Sequence, residues 1–206
     1  MYHRFDENRY PSTNIKVNDF KEHIKLIKDK QFIFVNANEF EEILKSKKIE
    51  KKILLTIDDA FLSFYEKAWP ILKKEKIPFI LFVSTREVGN FNYMNWKQIK
   101  EIAKEDFVHI GNHSHTHEYL VDKNKKEILE DINKSINLLS KHLGYVTKFF
   151  SYPFGEYSNE FKTIIKQLDF KYAFGQHSGL VDVTKDFLEL PRFSINEKYG
   201  EIKRFK

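Results

Sequence analysis

The chain has 206 residues, 41% hydrophobic with 20 Phe, no Cys, and 35 Lys+Arg against 30 Asp+Glu for a net charge of +5. That length suits a single domain, because α/β barrels often run to about 200–250 residues as one unit, and the missing cysteines exclude disulfides, thiolate metal ligands and a cysteine nucleophile. The lysines are spread along helical segments without a compact basic cluster, which argues against nucleic acid as a partner and leaves at most a mild attraction to acidic envelope polymers.

In chain order, Met1-Tyr2-His3-Arg4-Phe5 opens abruptly, like the end of a strand, which leaves room for an upstream segment. Val17 to Asp29 has Phe20, Ile24 and Ile27 at helical spacing, with Asn18 or Asp19 as caps. A short strand, Phe32 to Val35, precedes a helix from Asn38 to Ser46. Ile53 to Ile57 reads as a buried strand ending at Asp58-Asp59. Ser63 to Glu75 reads as a helix that Pro70 kinks or breaks. Pro78 to Val83 is a strand, Asn95 to Lys104 a helix capped by Asn95, and Phe107 to Gly111 a strand. The longest helix runs from Lys123 to His142 with Ile128, Ile132, Ile136 and Leu139 along one face. Val146 to Tyr152 is a strand, Asn159 to Leu168 a helix, Tyr172 to Gly175 a strand and Phe187 to Leu190 a weaker one.

Strands alternating with helices of about ten residues or more predict parallel βα units in one domain over residues 1–206. No apolar run approaches the roughly 18 residues of a membrane span, and no signal peptide is visible.

The polar residues of interest follow strand ends, where sites gather in βα folds. Asp58 and Asp59 are adjacent carboxylates closing an apolar run. Either they cap a turn, or their repulsion is relieved by a cation or a shared proton. His113 and His117 stand at i and i+4, so on a helical turn both rings could reach one ion; in a plain loop they would pack or face solvent. His115, between them, points elsewhere. One carboxylate and two imidazoles make a three-ligand metal site with open positions, and the second carboxylate is left to handle protons. In Ser151-Tyr152-Pro153-Phe154-Gly155, Pro and Gly fix a turn that could aim backbone N–H groups inward. His177, in a loop with Gly179, is a general-acid candidate or an ordinary loop histidine. Arg192 could hold a carboxylate or a sugar hydroxyl, or lie at the surface. Trp96 beside Tyr93 is a sugar platform or helix packing. His3, His23, His109 and His142 have no nameable partners and read as structural.

Together and in this order, these residues resemble the polysaccharide deacetylase family, also called the NodB homology domain or carbohydrate esterase family 4. Its Thr-Phe-Asp-Asp-Gly motif reads Thr56-Ile57-Asp58-Asp59-Ala60, its His-Ser/Thr-x-x-His motif reads His113-Ser114-His115-Thr116-His117, and its Arg-x-Pro-Tyr-Gly motif reads Ser151-Tyr152-Pro153-Phe154-Gly155. The resemblance implies a distorted (β/α) barrel of about seven parallel strands. It also implies Asp58 as catalytic base, Asp59, His113 and His117 as metal ligands (usually for zinc, with other divalent ions tolerated), and the Phe154 N–H as oxyanion donor. The expected activity is hydrolysis of N-acetyl groups on an acetylated aminosugar polymer or oligosaccharide, with removal of O-acetyl esters as the alternative. The family often works outside the cytoplasmic membrane, so the resemblance suggests the cell envelope or periplasm, while the residues themselves leave the location open.

There are departures. Ala60 replaces glycine. Ser151 replaces the arginine that braces the catalytic aspartate, and Arg192 is the candidate substitute. The fourth and fifth motifs are not recognisable, and His177 is the nearest replacement for the missing acid. Two rivals remain. A degenerate barrel could bind glycans without turnover. A non-haem iron oxygenase also uses two histidines and a carboxylate, although the βα alternation argues against the all-β scaffold expected there.

Overall fold

The computed structural model describes residues 1–46 and 50–205. The strands are β1 (Arg4–Phe5), β2 (Asn14–Ile15), β3 (Ile33–Phe34), β4 (Lys52–Ile53), β5 (Thr56–Ile57), β6 (Phe79–Val83), β7 (Val108–Asn112), β8 (Phe149–Ser151) and β9 (Tyr172–Phe174). The α-helices are α1 (Val17–Asp29), α2 (Phe40–Ser46), α3 (Trp69–Glu75), α4 (Trp96–Ile102), α5 (Lys125–Leu143), α6 (Asn159–Gln167) and α7 (Ile202–Phe205).

The main sheet is all parallel, in the order β5-β6-β7-β8-β9. All five residues of β6 are buried, as a continuous apolar run requires in a sheet covered on both faces. Single parallel bridges extend each edge: Tyr2 to Ile57 on one side and Leu190 to Phe174 on the other. The segment after Leu190 then returns to the first edge, where the Ile195 N–H donates to the Met1 carbonyl at 3.0 Å. With these two edge segments the curled sheet becomes a distorted barrel, which accounts for the expected strand count.

The register puts the C-terminal ends of the strands on one rim. Val83 pairs with Asn112, Asn112 with Phe150, and Ser151 with Phe174. Asp58, Ser84, His113, Tyr152 and Gly175 therefore leave the sheet side by side.

Several expected boundaries shift. Ile53 to Ile57 is not one strand: β4 pairs with β3 in a separate two-stranded sheet, and only Thr56–Ile57 joins the main one. The strand expected from Val146 begins at Phe149. Only Leu190 of the expected Phe187–Leu190 strand makes a bridge. The Ser63–Glu75 helix divides into a π-helical turn, Phe64–Ala68, and α3, with Pro70 in the first turn of α3 where its missing N–H costs nothing. Neither Asn18 nor Asp19 caps α1; the Val17 N–H donates to Asp6 Oδ1 at 2.9 Å, a cap supplied from a distant loop. Helix α5 starts at a reciprocal cap between Asn124 and Glu127 and ends at Gly144 in the left-handed conformation.

Candidate active site

Asp58 and Asp59 leave β5 together but face different partners. Asp58 is fully buried. Its carboxylate accepts Arg192 Nη1 at 2.8 Å, Arg192 Nη2 at 2.9 Å and Ser151 Oγ at 2.9 Å. Arg192 also donates to the Gly175 carbonyl (2.9 Å) and to Ser151 Oγ (2.8 Å), so its fork is fixed at several points. Burial alone pushes the Asp58 carboxyl up, but the Arg192 guanidinium, helped by His113 and His3, outweighs it and holds the group well below the usual carboxylate range.

Asp59 and Ala60 both adopt positive φ, +74° and +56°. Two left-handed residues in succession turn the chain sharply, and this is the place where the family motif has glycine. Asp59 Oδ1 then lies 3.3 Å from His113 Nε2 and 3.2 Å from His117 Nε2. Burial raises the Asp59 carboxyl, but the two histidines override it and bring it down to about 2.

The histidine segment follows β7 and is not helical, contrary to the turn expected from its spacing. Ser114 and His117 have φ of +66° and +53°, and the two rings converge with centroids 4.8 Å apart. His113 Nδ1 lies 2.7 Å from the Ser151 carbonyl. A carbonyl can only accept, so Nδ1 carries the proton and the Nε2 of a neutral ring presents a lone pair to Asp59. Lone pair against carboxylate at that distance is repulsive unless a proton or a cation lies between them. Burial works against protonating His113, yet Asp59 and Asp58 raise it on balance. Burial lowers His117, with His113 adding to the effect, which favours the neutral ring that ligates metals. The three groups lie within 4.8 Å of one another and could hold a metal ion. This donor set fits the divalent ion that the resemblance implies.

His115 bonds to Thr85 Oγ1 at 2.8 Å, away from the cluster. Phe154 has φ +59°, unusual for a non-glycine residue. Its half-exposed ring lies 4.8 Å from that of His117, at the edge of the cluster. Gly155 is required here: its φ is +73°, and a Cβ would fall 2.4 Å from the Gln176 side chain and 2.5 Å from the Gln176 nitrogen.

His177 stands apart. It is exposed, its ring neighbours Tyr157 at 6.2 Å, and no contact with Asp58, Asp59, His113 or His117 is found among the described residues. Trp96 stacks on His142 at 3.9 Å. Tyr93 packs on Phe61 and is pushed up to about 12 by burial and by the nearby Asp59 charge.

The residue that sequence reasoning missed is His3. The Tyr2–Ile57 bridge carries it to the rim, where it is 6% exposed and its Nδ1 has no partner among the described residues. Burial lowers its basicity, and the opposing pull of Asp59 and Asp58 does not make up for it. The signal was available: Met1–Phe5 reads as a strand end, and strand ends carry sites in βα folds.

The family model described as polysaccharide deacetylase matches residues 45–173. A relative from Staphylococcus aureus (strain MRSA252), a poly-beta-1,6-N-acetyl-D-glucosamine N-deacetylase, is 30% identical over 208 residues, covering 93% of this chain and 72% of its own. Among solved structures, IcaB from Ammonifex degensii superposes with a TM-score of 0.84 at 27% identity, over 97% of this chain and 91% of that one. The deacetylase PplD of Streptococcus pyogenes in complex with acetate shares the fold, with a TM-score of 0.87 at 24% identity, over 97% and 92%. A family match across more than half of the chain, on the segment that carries the Asp-Asp pair and both histidines, shows that this chain belongs to the polysaccharide deacetylase family.

Proposed function

We propose that this protein removes N-acetyl groups from a β-1,6-linked N-acetylglucosamine polymer, with a divalent ion, zinc in the first place, held by Asp59, His113 and His117. One observation carries the reading: the Asp59–His113–His117 cluster lies beside a second carboxylate, Asp58, that Arg192 and Ser151 hold ionised and aimed. The names of the relatives supply the polymer and the amide linkage.

A divalent ion bound there would polarise the acetyl carbonyl and acidify water, which matters because a carboxylate as strongly held as Asp58 is a weak base. Asp58 accepts the proton of the attacking water. Asp59 stays ionised through the cycle, as its low pKa favours. The Phe154 N–H, in its left-handed turn, donates to the developing oxyanion; a single such donor is worth about 10²–10³ in rate. As the C–N bond breaks, the amine needs a proton to leave. His3, buried beside both carboxylates, takes that role in place of His177, passing to the amine the proton that Asp58 took from the water. The products are acetate and a free amine. Following the resemblance, the protein is assigned to the cell envelope.

The test is a substrate panel scored for acetate. Poly-β-1,6-N-acetylglucosamine oligomers are expected to release acetate and free amine in equal amounts. Release from acetylated xylan alone would make the protein an O-acetyl esterase, and release from neither substrate by zinc-loaded protein would overturn the reading.

A further inference from the structure

We propose that Asp131, on the buried face of α5, is a positioning residue that holds the His113–His117 loop in the shape that lets both rings reach Asp59. The proposal rests on the metal-site reading above and deepens it.

The loop needs such a clamp. Five consecutive residues outside any helix or strand include two non-glycine residues at positive φ, Ser114 and His117. Each costs about 1–2 kcal/mol, so the conformation persists only where its surroundings impose it. Asp131 supplies three contacts at the middle of the loop. Oδ1 accepts the His115 N–H at 2.7 Å, and Oδ2 accepts the Thr116 N–H at 3.0 Å and the Thr116 hydroxyl at 2.6 Å.

One turn further along the same face, Ser135 Oγ accepts from Asn112 Nδ2 at 2.8 Å, and its own hydroxyl has two acceptors in reach, Asn112 Oδ1 at 3.0 Å and the Ile132 carbonyl at 2.8 Å. Asn112 Oδ1 in turn accepts the Ser114 N–H at 2.8 Å. Ser114 Oγ passes the constraint on to the His117 N–H at 3.0 Å. Asp131 and Ser135 are buried on a stripe otherwise made of Ile128, Ile132 and Leu139. Polar groups on such a stripe cost stability unless they are fully paired. Apart from the Ile132 carbonyl, 2.8 Å from Ser135 Oγ, their partners lie in the histidine loop or at its entrance.

An Asn at position 131 keeps one acceptor for His115, but its amide nitrogen cannot accept from Thr116. The second half of the loop then loses its anchor, and His117 loses its aim. His113 keeps its bond to the Ser151 carbonyl.

The experiment uses the full chain, with zinc affinity measured by chelator competition alongside the melting temperature of the metal-free protein. Asp131→Asn is expected to weaken zinc binding about 10–100-fold, as loss of groups that orient metal ligands does. KM for the acetylated polymer at saturating zinc is expected to stay within about twofold, because only ligand positioning is disturbed. A folded Asp131→Asn variant that melts lower but binds zinc as tightly as the unaltered chain would show a merely structural role and overturn the proposal. Should that variant not fold, Thr116→Val decides: weakened zinc binding supports the clamp and unchanged binding overturns it. An unaltered chain that takes up no zinc overturns the metal-site reading and the clamp together. One that binds zinc without releasing acetate, with Asp131→Asn weakening that binding, keeps the clamp and overturns only the assigned reaction.

Discussion

The guanidinium of Arg192 forks onto the carboxylate of Asp58 through bonds of 2.8 and 2.9 Å, joining residues 134 positions apart in sequence. Both side chains are buried, so removing one partner strands the other. Arg192→Met is expected to cost about 3–5 kcal/mol, or a fall of about 6–20 °C in melting temperature for a chain of this size. Arg192→Lys keeps the charge but not the fork, and should fall between. A change below about 2 °C in Arg192→Met would contradict the importance given to this pair.

Asp58→Asn keeps the shape of the side chain and removes its basicity. Turnover is expected to fall about 10²–10⁴-fold, the usual contribution of a positioned base, while zinc content stays unchanged because Asp59, His113 and His117 are intact. A variant with normal acetate release would remove Asp58 from the mechanism.

Acid stability follows from the same carboxylates. Asp58 and Asp59 lie below their ordinary 3.8 in the folded chain. The unfolded chain therefore binds more protons in that interval, and stability rises with pH across it. The contribution is present in full above about pH 5, weakens as pH falls through about 4, and for Asp59 is lost near pH 2. Urea midpoints of metal-free protein should already decline from about pH 7 to 5, because buried histidines such as His3, His109 and His117 resist the charge they gain on unfolding, and should fall further below about 4, there more steeply than for Asp59→Asn. Equal slopes for the two proteins would contradict the Asp59 assignment.

The two acid candidates separate cleanly. His3→Ala should lower kcat by about 10²–10⁴, whereas His177→Ala, at an exposed position, should leave it within about threefold. The reverse pattern would return the role to His177.

Gly155→Ala tests the turn that carries Phe154. A Cβ there meets both the side chain and the backbone of Gln176 at positive φ, so a loss of about 1–3 kcal/mol is expected, with reduced kcat if the Phe154 N–H is displaced. A fully stable and active variant would show that the turn does not depend on this glycine.

Much of this was legible in the chain. The apolar runs ending in Asp58 and before His113 marked the two strand ends, and βα alternation marked the rim on which they meet. The motifs carried the family. What the sequence hid was tertiary. The i, i+4 spacing of His113 and His117 suggested a helical turn, yet a loop clamped from α5 brings the rings together instead. Leu54-Leu55 continued an apolar run through a break where the chain passes from one sheet to another. His3 gave no local signal beyond its place at a strand end, because its neighbours arrive through the pairing of Tyr2 with Ile57. His177 had the right residue type and flanking glycine, but its loop faces solvent.

The most direct test of the metal centre is the zinc stoichiometry of the full chain beside Asp59→Ala and His117→Ala. One equivalent in the unaltered chain and little in either variant, with all three proteins folded, is the result expected here. A folded chain that takes up no zinc, or variants that bind it as well as the original, would contradict the account.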